Sequence, residues 1–67
     1  MQGQDIGWAV NTAIDGTPVT NNRLNERCSR VFYSEAARVL MEQRGERIAL
    51  YQATPEDLMG LDWRPAP

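Results

Sequence analysis

Residues 54–63, Thr-Pro-Glu-Asp-Leu-Met-Gly-Leu-Asp-Trp, spell out a helix start. Thr54 suits the N-cap, because its hydroxyl can accept from a backbone N–H that the first helical turn leaves unpaired. Pro55 falls at the first helical position, where a missing N–H costs nothing. Glu56 and Asp57 set negative charge in the first turn, where it suits the helix dipole. Gly60 lets the helix stop, and Leu61-Asp62-Trp63 leads out. Any fold for this chain must accommodate a short capped helix that delivers Trp63 to a defined place.

The rest of the chain offers little to staple such a fold together. Its 67 residues read as a single small domain, 1–67. A domain this size buries only about 60% of its unfolded surface. Disulfides, metals or oligomerisation are the usual remedies. With one cysteine (Cys28) and no histidine, an internal disulfide is impossible and a zinc site has no ligand set. No metal and no cofactor is therefore expected, and a homo-oligomer is. No apolar run approaches the roughly 20 residues that span a bilayer, so no membrane partner is expected. The first residues, Met1-Gln2-Gly3-Gln4-Asp5, lack a secretory pattern. With a lone cysteine, this predicts a cytoplasmic protein. The net charge of −2 argues against a nucleic acid polymer as partner.

All seven basic residues are arginine. Arginine presents a planar fork to phosphate and carboxylate. Codon bias in a GC-rich genome accounts for the same composition, so the bias marks no site by itself.

Ile6, Ala9, Val10, Ala13 and Ile14 recur at the spacing of one helical face. With Asp5 as N-cap and Gly16 beyond the last turn, a helix is predicted over about 5–15. Trp8 lies off that stripe, partly exposed or covered by another subunit. Residues 17–20 predict a short strand at a sheet edge, since Pro18 cannot donate to a ladder. Residues 21–26 are polar and read as a loop. Residues 27–33 end in Val-Phe-Tyr and read as a strand, with Cys28 as a small core residue. Residues 35–44 are ambiguous. Propensity favours helix, whereas Gly45 and the alternation over 47–52 favour a hairpin. The prolines after Trp63 predict an extended tail. The order of elements is that of an α+β fold: a small antiparallel β-sheet with an N-terminal helix and a short C-terminal helix.

Catalysis is poorly provided for, and no enzyme is expected. The commonest general base is missing with histidine. The glycines are scattered rather than gathered into a phosphate loop. The carboxylates of 56, 57 and 62 are explained by capping and solvation. What remains is an inventory for binding: arginines for phosphate, Trp8, Tyr33, Tyr51 and Trp63 for stacking, and asparagines for hydroxyls and base edges. An ordinary protein surface has the same inventory.

The chain resembles the second type of Thoeris anti-defence sponge, a family of small phage and prophage proteins. Ile6-Gly7-Trp8-Ala9-Val10 through Ile14-Asp15-Gly16-Thr17-Pro18-Val19 is similar to the family's opening helix, glycine and valine. Ala53 through Trp63 is similar to its closing element, which ends in Asp-Trp. The resemblance covers most of the chain, and the closing element is its specific part. The family has a strand–turn–strand around Gly45, which favours the hairpin, with a helical turn at 34–37. Two departures fall in the middle motif, where the family has an arginine and then Trp-Asn. Asn25 stands for the motif asparagine, but Leu24 replaces the tryptophan, and Asn21 occupies the arginine position with Arg23 two residues on. The chain also lacks a loop that many members carry before the hairpin. Such changes can alter ligand binding while keeping the fold.

The resemblance implies a homo-oligomer, tetramers among the known forms. It implies sequestration of a cyclic nucleotide immune signal, a cyclic ADP-ribose isomer or cyclic oligonucleotide, without cleavage. A sponge acts by mass action and needs no transition-state chemistry. The ligand-binding candidates are Asn25 for polar groups and Arg23 or Arg47 for phosphate. Thr54 and Asp57 would fix the helix start, and Asp62 and Trp63 would line or support the pocket. The alternative is a small acidic protein-interaction module that inhibits a host protein. Trp63 and Asp57 also have purely structural readings, as core anchor and as cap.

Overall fold

A computed structural model of the protein describes residues 3–67. The chain is an α+β fold. A five-stranded antiparallel sheet in the order β4-β3-β2-β1-β5 carries its helices on one face. Helix α1 (Ile6–Ile14) starts at Asp5, whose carboxylate accepts from the Trp8 N–H at 2.9 Å. Gly16 follows it with φ of 106°, a left-handed conformation that glycine adopts freely. Strand β1 (Val19–Thr20) leads into α2 (Asn22–Glu26), then β2 (Ser29–Ser34), β3 (Val39–Arg44) and β4 (Arg47–Leu50). Helix α3 (Pro55–Met59) and strand β5 (Arg64–Pro65) close the chain.

The ambiguous stretch resolves into strands. After β2 the chain turns through residues 35–38. The Arg38 N–H donates to the Ser34 carbonyl at 2.7 Å, and Ser34 Oγ accepts from the Ala37 N–H at 3.2 Å. Strands β2 and β3 pair along their whole length, from Ser29 opposite Arg44 to Ser34 opposite Val39. Gly45, at φ 62°, makes the tight turn into β4.

Three local expectations are corrected. Residues 21–26 are not a loop. Asn21 accepts from the Leu24 N–H and caps a helical turn that drives Leu24 into the core. Strand β1 is not at the edge, because β5 pairs outside it and the Pro18 carbonyl accepts from the Ala66 N–H. Cys28 is exposed rather than buried, at φ 57° in the turn between α2 and β2.

Residues directly opposite on neighbouring strands share a face. Val19, Val31, Glu42 and Ala49 form one such row. On this face Val19 and Val31 join Ala9 and Ala13 of α1, Leu24 of α2 and Trp63 in the core, with Tyr33 and Leu40 packed against it. The opposite face carries the rows Phe32–Met41–Leu50 and Arg30–Gln43–Ile48. None of the apolar residues of these rows is among those packed on the core, and Ile48 and Leu50 are more than half exposed, at 54% and 56%, while Phe32 and Met41 are half-buried. The alternation in 47–52 is therefore real, but its apolar side faces outward.

The core is small enough that a single polar atom matters. Ser29 Oγ is buried and has no hydrogen-bond partner among the described residues. Leaving a buried hydroxyl unpaired costs about 1–3 kcal/mol, whereas removing it removes the cost. Ser29→Ala should therefore unfold at equal or higher denaturant concentration than the parent, gaining up to about 1 kcal/mol. A midpoint clearly below the parent's in urea would contradict this.

Candidate functional site

Thr54, Pro55 and the acidic first turn form the helix start that residues 54–57 specify. Thr54 Oγ1 accepts from the Asp57 N–H, and the Asp57 carboxylate accepts from the Thr54 N–H, each at 3.2 Å. This capping box satisfies two otherwise orphaned donors at once. It also holds Asp57 fully buried beneath the helix.

Three side chains from distant parts of the chain converge on that carboxylate. Asn21 Nδ2 donates to Oδ1 at 2.9 Å. The Arg23 guanidinium grips both oxygens, Nε to Oδ1 at 2.9 Å and Nη2 to Oδ2 at 2.6 Å. The Tyr51 hydroxyl donates to Oδ2 at 2.6 Å. With the Thr54 N–H, the carboxylate accepts five hydrogen bonds from four residues. The backbone carbonyl of Asp57 accepts from Trp63 Nε1 at 3.0 Å. Tyr51 meets the Trp63 ring edge to face, with centroids 6.4 Å apart. Asn21, Arg23 and Tyr51 gather on Asp57 because Asn21 caps α2 and because Tyr51 leaves β4 toward α3.

These bonds set the ionisation of the cluster. Burial pushes the Asp57 carboxyl up, but the bonds from Arg23, Tyr51, Asn21 and Thr54 outweigh it and hold the carboxyl well below the usual range. Burial and the bond to Asp57 push the Tyr51 phenol far up. Arg23 is raised above its ordinary value, mainly by its bond to Asp57. Such a carboxylate makes a poor general base, because it is reluctant to take a proton and its lone pairs are occupied. The cluster binds parts of the protein to one another.

Of the candidate residues, Arg23, Thr54, Asp57 and Trp63 meet in this one network. Asp62 lies beside it, where its Oδ2 accepts from the Asn22 N–H at 2.8 Å. Asn25 and Arg47 lie apart from it. Asn25 is exposed and lines a cleft with Cys28, Arg30 and Gln43, while Arg47 is exposed at the turn between β3 and β4. Asn21 and Tyr51 are members that sequence reasoning missed. A polar residue followed by Leu at the spacing of a cap was the signal available for Asn21. Leu24, where the resemblance expects a tryptophan, is fully buried in the core.

A polar crevice of about 510 Å³ opens over the network, lined by Asn22, Glu26, Glu56, Met59, Gly60 and Asp62. Among the described residues no group of three or more His, Cys, Asp or Glu side chains is placed to hold a metal ion. Nor is any helix long and apolar enough to cross a membrane. In comparisons with known proteins, no family model matches the chain, and no curated protein or solved structure matches it.

Breaking a buried, paired charge costs about 3–5 kcal/mol, because the remaining partner is stranded. Arg23→Leu should lose stability on that scale, while Tyr51→Phe should lose about 1.5–3 kcal/mol, the worth of a bond to a charged group. Equilibrium urea unfolding measures both, and a loss under about 0.5 kcal/mol for Arg23→Leu would contradict the network's role.

The pH dependence follows from the same bonds. The folded-state pKa of Asp57 is lowered, so the unfolded chain binds its proton first and folding is favoured while the carboxyl is ionised. That contribution is complete above the unfolded value of about 4 and fades as pH falls below it. Stability should therefore decline with acid below about pH 4, and Asp57→Asn should be less stable at neutral pH yet show a flatter acid limb. Parallel acid limbs for variant and parent would count against it.

Proposed function

We propose that this chain is a phage or prophage anti-defence protein that binds a cyclic nucleotide immune signal and holds it without cleaving it. The ligand class is a cyclic ADP-ribose isomer or a cyclic oligonucleotide. The protein works as a homo-oligomer in the host cytoplasm. The observation that carries this reading is that the middle and closing stretches of the resemblance meet in space. Asn21 and Arg23 donate to Asp57, and the Asn22 N–H donates to Asp62. Residues otherwise 34–40 positions apart thus form one unit. The saturated Asp57 carboxylate favours holding over turnover. The exposed Ile48 and Leu50 of the sheet favour self-association, since apolar surface of this kind gains by being removed from water.

A protein-interaction module is the second reading. Its support is the exposure of Leu58, Met59 and Leu61, at 55%, 83% and 68%, close in sequence to the acidic first turn of α3.

Protein purified from cells that make the signal should release an intact cyclic nucleotide on heating, detected by mass spectrometry. Light scattering should give a mass of at least two chains. Leu50→Glu, which buries a charge in the proposed contact, should shift that mass toward one chain. No retention across a panel of cyclic nucleotides, together with stable capture of a host protein, would replace this reading with the second.

A further inference from the structure

Arg30 and Arg64 are partly buried arginines with no carboxylate within ion-pair distance among the described residues, and of the two only Arg30 is held through two nitrogens by one side-chain amide. Arg30 lies on the face of the sheet opposite the core. Arg23 and Arg27 have carboxylate partners, in Asp57 and Glu42. Arg38, Arg44 and Arg47 also lack one, but they are exposed, and Arg64 lacks one but gives its Nη1 to Asn22 Oδ1 and the Asp62 carbonyl near the polar crevice. Arg30 is instead held by a neutral amide. Its Nε and Nη2 both donate to Gln43 Oε1, at 3.2 and 3.0 Å. Gln43 Nε2 in turn donates to the Gly45 carbonyl at 3.2 Å, which fixes which end of the amide faces the arginine. The guanidinium is thus oriented without being neutralised, and among the described residues nothing accepts a hydrogen bond from Nη1.

The pair also separates two depressions. One, of about 400 Å³, is lined by Asn25, Cys28, Ser29, Gly45, Ala66 and Pro67 as well as by the pair. The other, of about 260 Å³, is lined by Ala13, Gly16, Pro18, Phe32 and Tyr33 as well as by the pair, and so reaches from the Arg30 side of the sheet to the end of α1. Phe32 precedes Tyr33 on β2 and lies on the same face as Arg30, two residues on. A preorganised cation beside an aromatic ring can take an anion and a flat ring together.

We propose that Arg30, oriented by Gln43, is the anion-binding element of a ligand site on the face of the sheet opposite the core, which takes an organic phosphate carrying an aromatic ring. The phosphate lies against the Nη1 edge of the guanidinium, and the ring lies toward Phe32. Asn25 lines the other depression that Arg30 borders, where it can meet polar groups extending from the phosphate. The nucleotide class of the ligand rests on the function proposed above. The anion site itself rests on Arg30's surroundings and stands apart from it.

The test is a titration of the purified full chain with ADP and, separately, with inorganic pyrophosphate, followed by nitrogen-15 NMR of the arginine Nε–H signals and backbone amides. ADP should move the Arg30 Nε–H saturably, together with amides of residues 28–30 and 43–45. Arg30→Gln should weaken ADP roughly ten-fold or more, the worth of one charged hydrogen bond. Arg30→Lys, which keeps the charge and loses the fork, should fall between the two, and serves if Arg30→Gln disturbs the amide spectrum. Phe32→Leu should weaken ADP and leave pyrophosphate unchanged. The proposal is overturned if neither probe gives a saturable shift. It is equally overturned if Arg38, Arg44 and Arg47 shift in parallel with Arg30, or if both Arg30 variants bind ADP as the parent does. Saturable ADP binding at Arg30 without retention of any cyclic nucleotide would sink the sponge reading and leave this site standing. Retention undiminished in Arg30→Gln would do the reverse.

Discussion

The Asp57 carboxylate is the interaction on which the rest of the structure depends. A fully buried charge is tolerated only when its lone pairs are occupied by well-placed donors. Here the donors come from the start of α2, from the residue that leaves β4 and from the N-cap of α3. The carbonyl of the same residue takes the indole N–H of Trp63, the largest buried side chain. One residue therefore fixes both short helices and the entry to β5. Helices of five residues have no stability of their own. They exist because their caps are tied to each other through this carboxylate.

That arrangement compensates for a sparse core. Its apolar members include two alanines, two valines and one leucine around Trp63. Apolar burial on this scale is marginal against chain entropy. A polar network with all its members satisfied adds rigidity where the core cannot. The cost is that it specifies only one face of the sheet. The rows Phe32–Met41–Leu50 and Arg30–Gln43–Ile48 add no side chain to that core, and Ile48 and Leu50 are left exposed.

Local chemistry was legible in the sequence and long-range pairing was not. The Asp5 cap, the α1 stripe and the Thr54-Pro55 start are written within a few residues, and each formed as read except that Ile14, at the end of the stripe, is left exposed. The glycine at 45 likewise marked the hairpin turn. Helix α2 escaped because five residues are too few to show a period, and its cap, Asn21, reads equally well as a loop residue. Cys28 was misassigned because burial statistics favour a core cysteine, whereas its position is set by the turn after α2. The α+β class followed from the order of elements. The network on Asp57 did not, since nothing local to Arg23 or Tyr51 indicates a partner 34 residues ahead or 6 ahead.

The same limit explains how the arginines divide their roles. Sequence gives all seven the same fork and the same charge. Structure assigns them different neighbours, and the neighbours determine what each fork can still do. Arg23 gives a bidentate grip to a carboxylate and has its charge met inside the protein. Arg30 gives two N–H groups to an amide oxygen, which fixes its plane but leaves its charge unmet. The first arrangement stabilises a fold. The second leaves a directed cation on the face of the sheet opposite the core. An anion brought to that surface would be met by a guanidinium already turned toward it, at little cost in side-chain ordering. The polar row and the apolar row lie side by side on one face, so covering the face and meeting the charge are coupled events. A ligand bound there would change the surface that a second chain meets, and a second chain would exclude water from the ligand's phosphate.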